Sequence, residues 1–129
     1  MFLLDTNVCI DFALARSDRL RDNVKTSFSK GLSISSITLG ELRVGAQRDG
    51  AEPEDDKKLD DLIRLLALRE FDEKAAEAYG AIARQIGVKR RNFDRLIAAH
   101  AVAEGLVLVT RNEKDFADVP GLKVENWTV

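Results

Sequence analysis

The chain has 129 residues, of which 45% are hydrophobic and 33% charged, and its formal net charge is −2. This length and balance predict one domain with a buried core, spanning residues 1–129, and exclude an intrinsically disordered chain. A single cysteine excludes an intrachain disulfide, and the net charge excludes nucleic-acid binding through an overall positive field. The apolar start lacks basic residues and is too short for a membrane span, so we expect a cytoplasmic protein with no membrane contact.

Three short apolar runs predict buried β-strands, and two weaker runs are further candidates. The runs are continuous rather than alternating, which is typical of parallel strands that are covered on both faces. The strong candidates are residues 2–4, 32–35 and 106–109, and the weaker ones are residues 68–71 and 122–125.

Helical spacing of apolar residues between these runs predicts several helices. The repeating positions are Leu59, Leu62, Ile63 and Leu66, then Ala75, Tyr79, Ile82 and Ile86, then Phe93, Leu96, Ile97 and Ala101. Residues 20–32 predict a further amphipathic helix that ends at Gly31, whereas residues 48–58 are expected to form a loop because they contain Gly50 and Pro53. The alternation of strand and helix favours a three-layer α/β/α fold with right-handed crossovers.

Four acidic residues fall close to the ends of the predicted strands. Asp5 directly follows the first strand, and Glu41 lies one turn into the helix after the second. Asp94 opens a helix, and Asp115 lies shortly after the strand at residues 106–109. Because ligands of an open parallel sheet bind beyond the carboxyl ends of its strands, we expect these acids to converge at one edge.

Helix capping offers a structural explanation for the same residues. Acids in the first turn of a helix complement its dipole and contribute about 0.3–1 kcal/mol each. Thr38 and Glu41 match a capping box, and Asn112 with Asp115 resembles a weaker one. Asp5 is the exception, because a carboxylate at the end of an apolar strand is partly desolvated. This is unfavourable unless a positive charge compensates it.

Convergence of these carboxylates would create a strong mutual repulsion. A cation or a shared proton is needed to relieve it. Ligands made only of oxygen select hard divalent ions such as Mg²⁺ or Mn²⁺. Since such ions support the attack of water on a phosphodiester, the acids indicate metal-assisted phosphodiester hydrolysis.

The segments LLDTN, SSITLGEL, FDRLIAAHA, LVTRNEKDF and VPGLKVENW occur in this order over nearly the whole chain. Their ordered combination resembles the PIN-domain ribonucleases of the VapC toxin type. The resemblance implies a PIN-like fold with a five-stranded parallel sheet and Mg²⁺- or Mn²⁺-dependent endonucleolytic cleavage of RNA. It also implies a homodimer and inhibition by a cognate VapB-type antitoxin, in a heterotetramer or larger assembly that meets DNA only through the antitoxin.

The same resemblance assigns roles to residues of three segments. Asp5, Glu41 and Asp94 match the acidic triad of the family, with Asp5 and Asp94 as direct metal ligands. Glu41 is expected to bind the metal through a water or to orient one. Thr6 and Thr110 are expected to present hydroxyls at the same edge.

One position departs from the family pattern. Many relatives carry an aspartate where this chain has Asn112. Asp115, one turn further on, is the expected substitute as a catalytic and metal-binding residue, because positions three apart share a helix face. The departure predicts one well-occupied metal and a weaker second.

Two other classes of function compete with the nuclease. Phosphoryl-transfer domains of the haloacid-dehalogenase or response-receiver type also place an aspartate after the first strand. However, the former normally carry a second aspartate where this chain has Asn7, and the latter need a separate acidic pair. A module that binds RNA or an antitoxin without cleavage is the other alternative, and Asn112 is its best support.

Several basic and apolar residues allow both a functional and a structural interpretation. Arg111 and the run Lys89, Arg90 and Arg91 either contact RNA phosphates or belong to solvated loops. His100 lies among small residues of a helix, and we expect it to be packed and hydrogen-bonded rather than catalytic. The apolar residues of the predicted helix at 20–32 either pack in the core or face a partner, and they are Leu20, Val24 and Phe28.

Overall fold

The computed structural model describes residues 1–46, 52–88 and 92–129. Its strands are β1 (Phe2–Leu4), β2 (Leu32–Ser35), β3 (Ala67–Arg69), β4 (Val107–Val109) and β5 (Lys123–Glu125). They form a five-stranded sheet in the order β3-β2-β1-β4-β5, and every neighbouring pair is parallel. The prediction of a five-stranded parallel sheet is therefore confirmed, with small shifts in the bounds of three strands.

The helices of the described part of the chain lie between the strands in chain order. They are α1 (Thr6–Ala13), α2 (Asp18–Ser27), α3 (Ser36–Ala46), α4 (Pro53–Leu65), α5 (Glu73–Ile86), α6 (Phe93–Glu104) and α7 (Glu113–Phe116), with a 3-10 helix at Phe28–Lys30. None of these helices is long and apolar enough to cross a membrane.

Both faces of the sheet are covered by apolar side chains, as the continuous strand patterns predict. Leu3 of the central strand packs with Leu108 and Ile97 on the face that α5 and α6 cover. Leu4 and Ile34 pack on the opposite face, under α1, α2 and α4. These five side chains are fully or almost fully buried, and the α/β/α layering follows from the two cores.

The expected loop at residues 48–58 is wrong for residues 53–58, which form the start of α4. Residues 48–51 lie outside the described residues. Pro53 occupies the beginning of the helix, where its missing amide N–H is not needed. Glu54, Asp55 and Asp56 follow in the first turn, where their charges complement the helix dipole. A proline and a run of acids are thus equally compatible with a turn and with a helix start.

The predicted helix at residues 20–32 has different bounds in the structure. It begins at Asp18, after Ser17, whose hydroxyl accepts a hydrogen bond of 3.2 Å from the Leu20 amide. The α-helix ends at Ser27 and continues as the short 3-10 helix. Gly31 then adopts a φ of 90°, which favours glycine, and leads the chain into β2.

We expect Leu108→Ala to lower the free energy of unfolding by about 2–5 kcal/mol, because it leaves a cavity in a fully buried part of the sheet. Leu65→Ala is the matched control, since Leu65 is 61% exposed, and it should change stability by less than about 0.5 kcal/mol. Urea unfolding of both variants measures the difference. Equal losses would contradict the assignment of the core.

Candidate active site

The carboxyl ends of β1 and β4 form a crevice at the point where the strand order reverses. Strands β2 and β3 lie on one side of β1, and β4 and β5 lie on the other. Leu4 is paired with Val109, so the next residues, Asp5 and Thr110, lie side by side. The Asp5 amide donates a hydrogen bond of 3.1 Å to the Val109 carbonyl. Open parallel sheets bind ligands at such a switch point, which makes this crevice the candidate site.

Asp5 is both a helix cap and a buried acid. Its Oδ1 accepts a hydrogen bond of 2.8 Å from the Val8 amide at the start of α1, yet only 3% of the residue is exposed. Burial raises the pKa of Asp5, and the hydrogen bonds from Thr110 and Val8 lower it. Burial has the larger effect, and the resulting pKa is about 6. The negative charge of Asp94 raises this pKa further, and the positive charge of Arg111 lowers it. The structural and functional interpretations of Asp5 are therefore compatible.

Asp94 and Asp115 extend this group of interacting charges. Asp94 is the second residue of α6, whose cap is instead Asn92, and the Asn92 side chain accepts from the Arg95 amide. Burial raises the pKa of Asp94, and the charge of Asp115 adds to the effect. Asp5, Asp94 and Asp115 are thus electrostatically linked in a chain, as convergence at one edge requires.

Glu41 reaches the same region through a hydrogen bond to α1. Helix α3 begins at Ser36, so Thr38 lies inside the helix and the predicted capping box is wrong. Instead, the hydroxyl of Thr6 donates a hydrogen bond of 2.7 Å to Glu41 Oε1 and lies 3.3 Å from Thr38 Oγ1. Because Thr6 follows Asp5 directly, this bond holds the Glu41 carboxylate beside the crevice.

Asn112 stands at the start of α7, but its side chain makes no capping hydrogen bond. Its backbone carbonyl accepts a bond of 3.0 Å from the Asp115 amide, and its own amide donates to Thr110 Oγ1 over 3.0 Å. The predicted capping-box variant is therefore replaced by a backbone turn. This turn brings Thr110 and Asp115 to the crevice together.

The donors at this edge are the ones that hard divalent cations prefer, since they are carboxylate oxygens. Within the described residues, however, no three His, Cys, Asp or Glu side chains are already arranged as a metal-binding group. The charge of Asp94 acts on Asp5, and that of Asp115 acts on Asp94, without a finished coordination shell among the described side chains.

Asp11 is a buried acid that the sequence reasoning missed. It is 3% exposed and forms ion pairs of 3.3 Å with Arg16 and with Arg111. The signal in the sequence was its position three residues after Val8, on the apolar face of α1. An acid at such a position needs a buried partner.

Two residues of catalytic type have structural roles. His100 is fully buried, with Nδ1 2.8 Å from Ser35 Oγ, and its expected packed role is confirmed. Its Nε2 lies 2.6 Å from Glu104 Oε2, although this contact lacks the alignment of a hydrogen bond. Arg95 is 4% exposed and paired with Asp118 over 3.0 Å, so it is not available at the surface. Lys89, Arg90 and Arg91 lie outside the described residues.

Comparisons with known proteins agree on one family. A family model described as PIN domain matches residues 2–122. Ribonuclease VapC2 of Rickettsia felis is 34% identical, over 98% of this chain and 98% of its own length. The tRNA(fMet)-specific endonuclease VapC of Salmonella typhimurium is also 34% identical, over 98% and 97% of the two chains.

Solved structures of similar proteins give the same result at the level of the fold. A chain of VapBC2 from Rickettsia felis, bound to a DNA fragment from the promoter, superposes with a TM-score of 0.87 at 34% identity over 98% of each chain. A chain of DNA-bound VapBC from Salmonella typhimurium superposes with a TM-score of 0.86 at 35% identity, covering 98% of this chain and 97% of that one.

We expect Asp5→Asn to stabilise the protein near neutral pH. The pKa of Asp5 is about 6 in the folded protein and 3.8 without the protein environment, so ionised Asp5 costs about 3 kcal/mol of folding free energy above pH 6. The cost disappears as the pH falls through both values. Asparagine removes it and still caps the helix. Urea unfolding in EDTA should show the gain at about pH 7.5 and little gain at about pH 3.5.

Asp72→Asn is the matched control for this prediction. Asp72 caps α5 by accepting a hydrogen bond of 3.0 Å from the Ala75 amide, but it is exposed. Its replacement should change stability little at either pH. A gain for Asp5→Asn that is equal at both pH values would contradict burial of the carboxylate as its cause.

Proposed function

Since this chain belongs to the PIN-domain family and is of the VapC type, we propose that it is an endoribonuclease toxin of a type II toxin–antitoxin module. The observation that carries the proposal is the buried Asp5 at the crevice between β1 and β4, with its charge coupled to that of Asp94. The names of the relatives from Rickettsia felis and Salmonella typhimurium support RNA as the substrate class. We propose tRNA(fMet) as the RNA to test first.

We propose that activity depends on Mg²⁺ or Mn²⁺. The side chains at the crevice fit such an ion by their chemistry, because they are carboxylates, and the pKa values of Asp5 and Asp94 are raised by burial and by a neighbouring negative charge. A divalent cation favours their ionised forms and relieves their repulsion. When bound, such an ion lowers the pKa of water and stabilises negative charge on a phosphoryl oxygen.

Each acidic residue has a distinct place in this proposal. Asp5 and Asp94 are the proposed direct ligands. Glu41 orients the attacking water, and the Thr6 hydroxyl keeps its carboxylate turned toward the crevice. Asp115 supplies the remaining negative charge beside Asp94, in the part of the site where Asn112 replaces an acid. We expect the metal position that depends on Asp115 to be the weaker one.

We expect the purified protein, free of any antitoxin, to cleave tRNA(fMet) with Mg²⁺ or Mn²⁺ and to lose this activity in EDTA. Asp5→Asn and Asp94→Asn should each lower kcat by about a hundredfold or more, because each removes a negative ligand. Gel analysis of end-labelled tRNA measures the rate and the cleavage position. Elongator tRNA serves as the competing substrate.

Asp72→Asn is again the control, because this acid lies at the exposed start of α5 and outside the crevice. It should cleave at the rate of the parent. Parent-like rates for both Asp5→Asn and Asp94→Asn would show that the site is wrongly assigned. Mg²⁺ binding by the parent without cleavage of any RNA would favour the alternative of a non-cleaving module that binds RNA or an antitoxin.

We further propose that a VapB-type antitoxin binds at an apolar cleft formed by α1, α2 and α4. The cleft has a volume of about 340 Å³ and exposes Phe28 and Leu65, at 45% and 61% of their areas. Leu20 and Val24, by contrast, are buried in the core, as one of the two interpretations predicted. Exposed apolar side chains around a cleft are typical of a site for a partner segment.

The remaining parts of the proposal concern assembly and location. We propose that residues 1–129 act as one domain, that the chain forms a homodimer, and that it joins its antitoxin in a heterotetramer or larger complex. The structures of VapBC bound to DNA support an antitoxin partner and a larger assembly. We propose that this chain meets DNA only through its antitoxin. We propose the cytoplasm as its location.

We expect Phe28→Glu to weaken antitoxin binding by at least tenfold, about 1.4 kcal/mol, because it places a charge in the apolar cleft. Ribonuclease activity of the free protein should be unchanged. Val129→Glu is the control, since Val129 is 75% exposed and lies outside the cleft. Titration of immobilised antitoxin measures both affinities. If Phe28→Glu binds the antitoxin as tightly as the parent, the antitoxin binds at another surface.

A further inference from the structure

Asp11 brings a negative charge into an almost fully buried position on α1. Its two carboxylate oxygens serve two different arginines. Oδ1 lies 3.3 Å from Arg16 Nη1, and Oδ2 lies 3.3 Å from Arg111 Nη1. Because an unpaired buried carboxylate is strongly unfavourable, these contacts fix the positions of both guanidinium groups relative to α1.

Arg111 lies at the crevice, whereas Arg16 lies beyond the end of α1. Arg111 directly follows Thr110, the neighbour of Asp5 at the end of β4. It lines a cleft of about 320 Å³ together with the residues of the turn and of α7 as far as Asp115. Its side chain is 44% exposed, so the guanidinium is anchored on one side and open to solvent on the other.

Arg111 contacts Asp11 through Nη1 as an ion pair without the alignment of a hydrogen bond. Among the described residues, the guanidinium has no second carboxylate partner, so Nη2 and Nε are directed to no other carboxylate and can donate to a ligand. Arginine presents its donors in a planar fork that matches a phosphate group. A guanidinium that is already held in place also loses less conformational entropy when it binds.

We infer that Asp11 is a positioning residue that holds Arg111 at the crevice, where the Arg111 guanidinium binds a phosphate group of the RNA substrate. The inference rests on the proposed function, because it needs a polyanionic substrate at this edge. Asp5, Glu41 and Asp94 by themselves would repel such a substrate. An anchored cation beside them provides attraction at a fixed place, and phosphate contacts of this kind set the register of a nucleic acid.

A binding experiment in EDTA tests this inference separately from cleavage. The affinity of the full-length protein for a short fluorescein-labelled oligouridylate is measured by anisotropy over a series of salt concentrations. Arg111→Ala should weaken binding by about tenfold and reduce the slope of log K against log salt by about 0.7, the loss of one phosphate contact. Arg111→Lys should lie between the parent and Arg111→Ala, because it keeps the charge and loses the fork.

The role of Asp11 is tested by a double-mutant cycle. Asp11→Asn should weaken binding by about threefold to fivefold, and the double variant with Arg111→Ala should bind no more weakly than Arg111→Ala alone. Arg16→Ala is the matched control, since it removes the other ion pair of Asp11 and should bind like the parent. If Asp11→Asn fails to fold, Asp11→Glu takes its place in the cycle, because it keeps the charge and displaces it.

Three results would overturn the inference. The first is Arg111→Ala with the affinity and salt slope of the parent, and the second is a parent protein that does not bind the oligouridylate. The third is an effect of Asp11→Asn that adds fully to that of Arg111→Ala, because Asp11 would then act independently. Binding by the parent without cleavage in Mg²⁺ or Mn²⁺ would overturn the proposed function and leave the inference standing on the binding data.

Discussion

Asp5 holds a carboxylate at the end of the central strand, where only 3% of the residue reaches solvent. Burial favours the neutral acid, whereas the Val8 amide and the Thr110 hydroxyl favour the ionised form, and the resulting pKa is about 6. The balance between the two forms therefore lies toward the carboxylate at about pH 7.5 and is even at about pH 6. A nearby cation shifts that balance toward the carboxylate, and a nearby anion such as Asp94 shifts it away.

Helix α1 organises the side chains around this carboxylate. Its cap is Asp5 itself, and its first residue, Thr6, binds Glu41 of α3. Five residues after Thr6, Asp11 pairs with Arg111 at the end of β4. One short helix thus connects the ends of three strands, since β1 precedes α1, β2 precedes α3 and β4 precedes Arg111. Parallel pairing of β1 with both β2 and β4 makes these connections possible.

Residue type alone is a poor guide to chemistry in this protein. His100 has the side chain most often used for acid–base catalysis, yet it is fully buried beside Ser35 and Glu104, and it links α6 to β2. Arg95, inside a segment rich in basic residues, is buried and binds Asp118 and the Gly87 carbonyl. Both illustrate that a buried polar group needs partners, and that satisfying this need explains its presence without catalysis.

The α/β class, the parallel sheet and the acid at the end of its first strand could all be predicted from the pattern of residues. Continuous apolar runs and helical spacing are local properties. In the structure they correspond to five strands and to the two cores on the faces of the sheet. Local signals were ambiguous at Pro53, because proline suits a turn and a helix start equally. The pairing of Thr6 with Glu41, 35 residues away, and of Asp11 with Arg111 is visible only in the folded chain. Such pairs depend on the order of the strands and on the packing of helices across them. The periodicity of a single segment predicts neither of these.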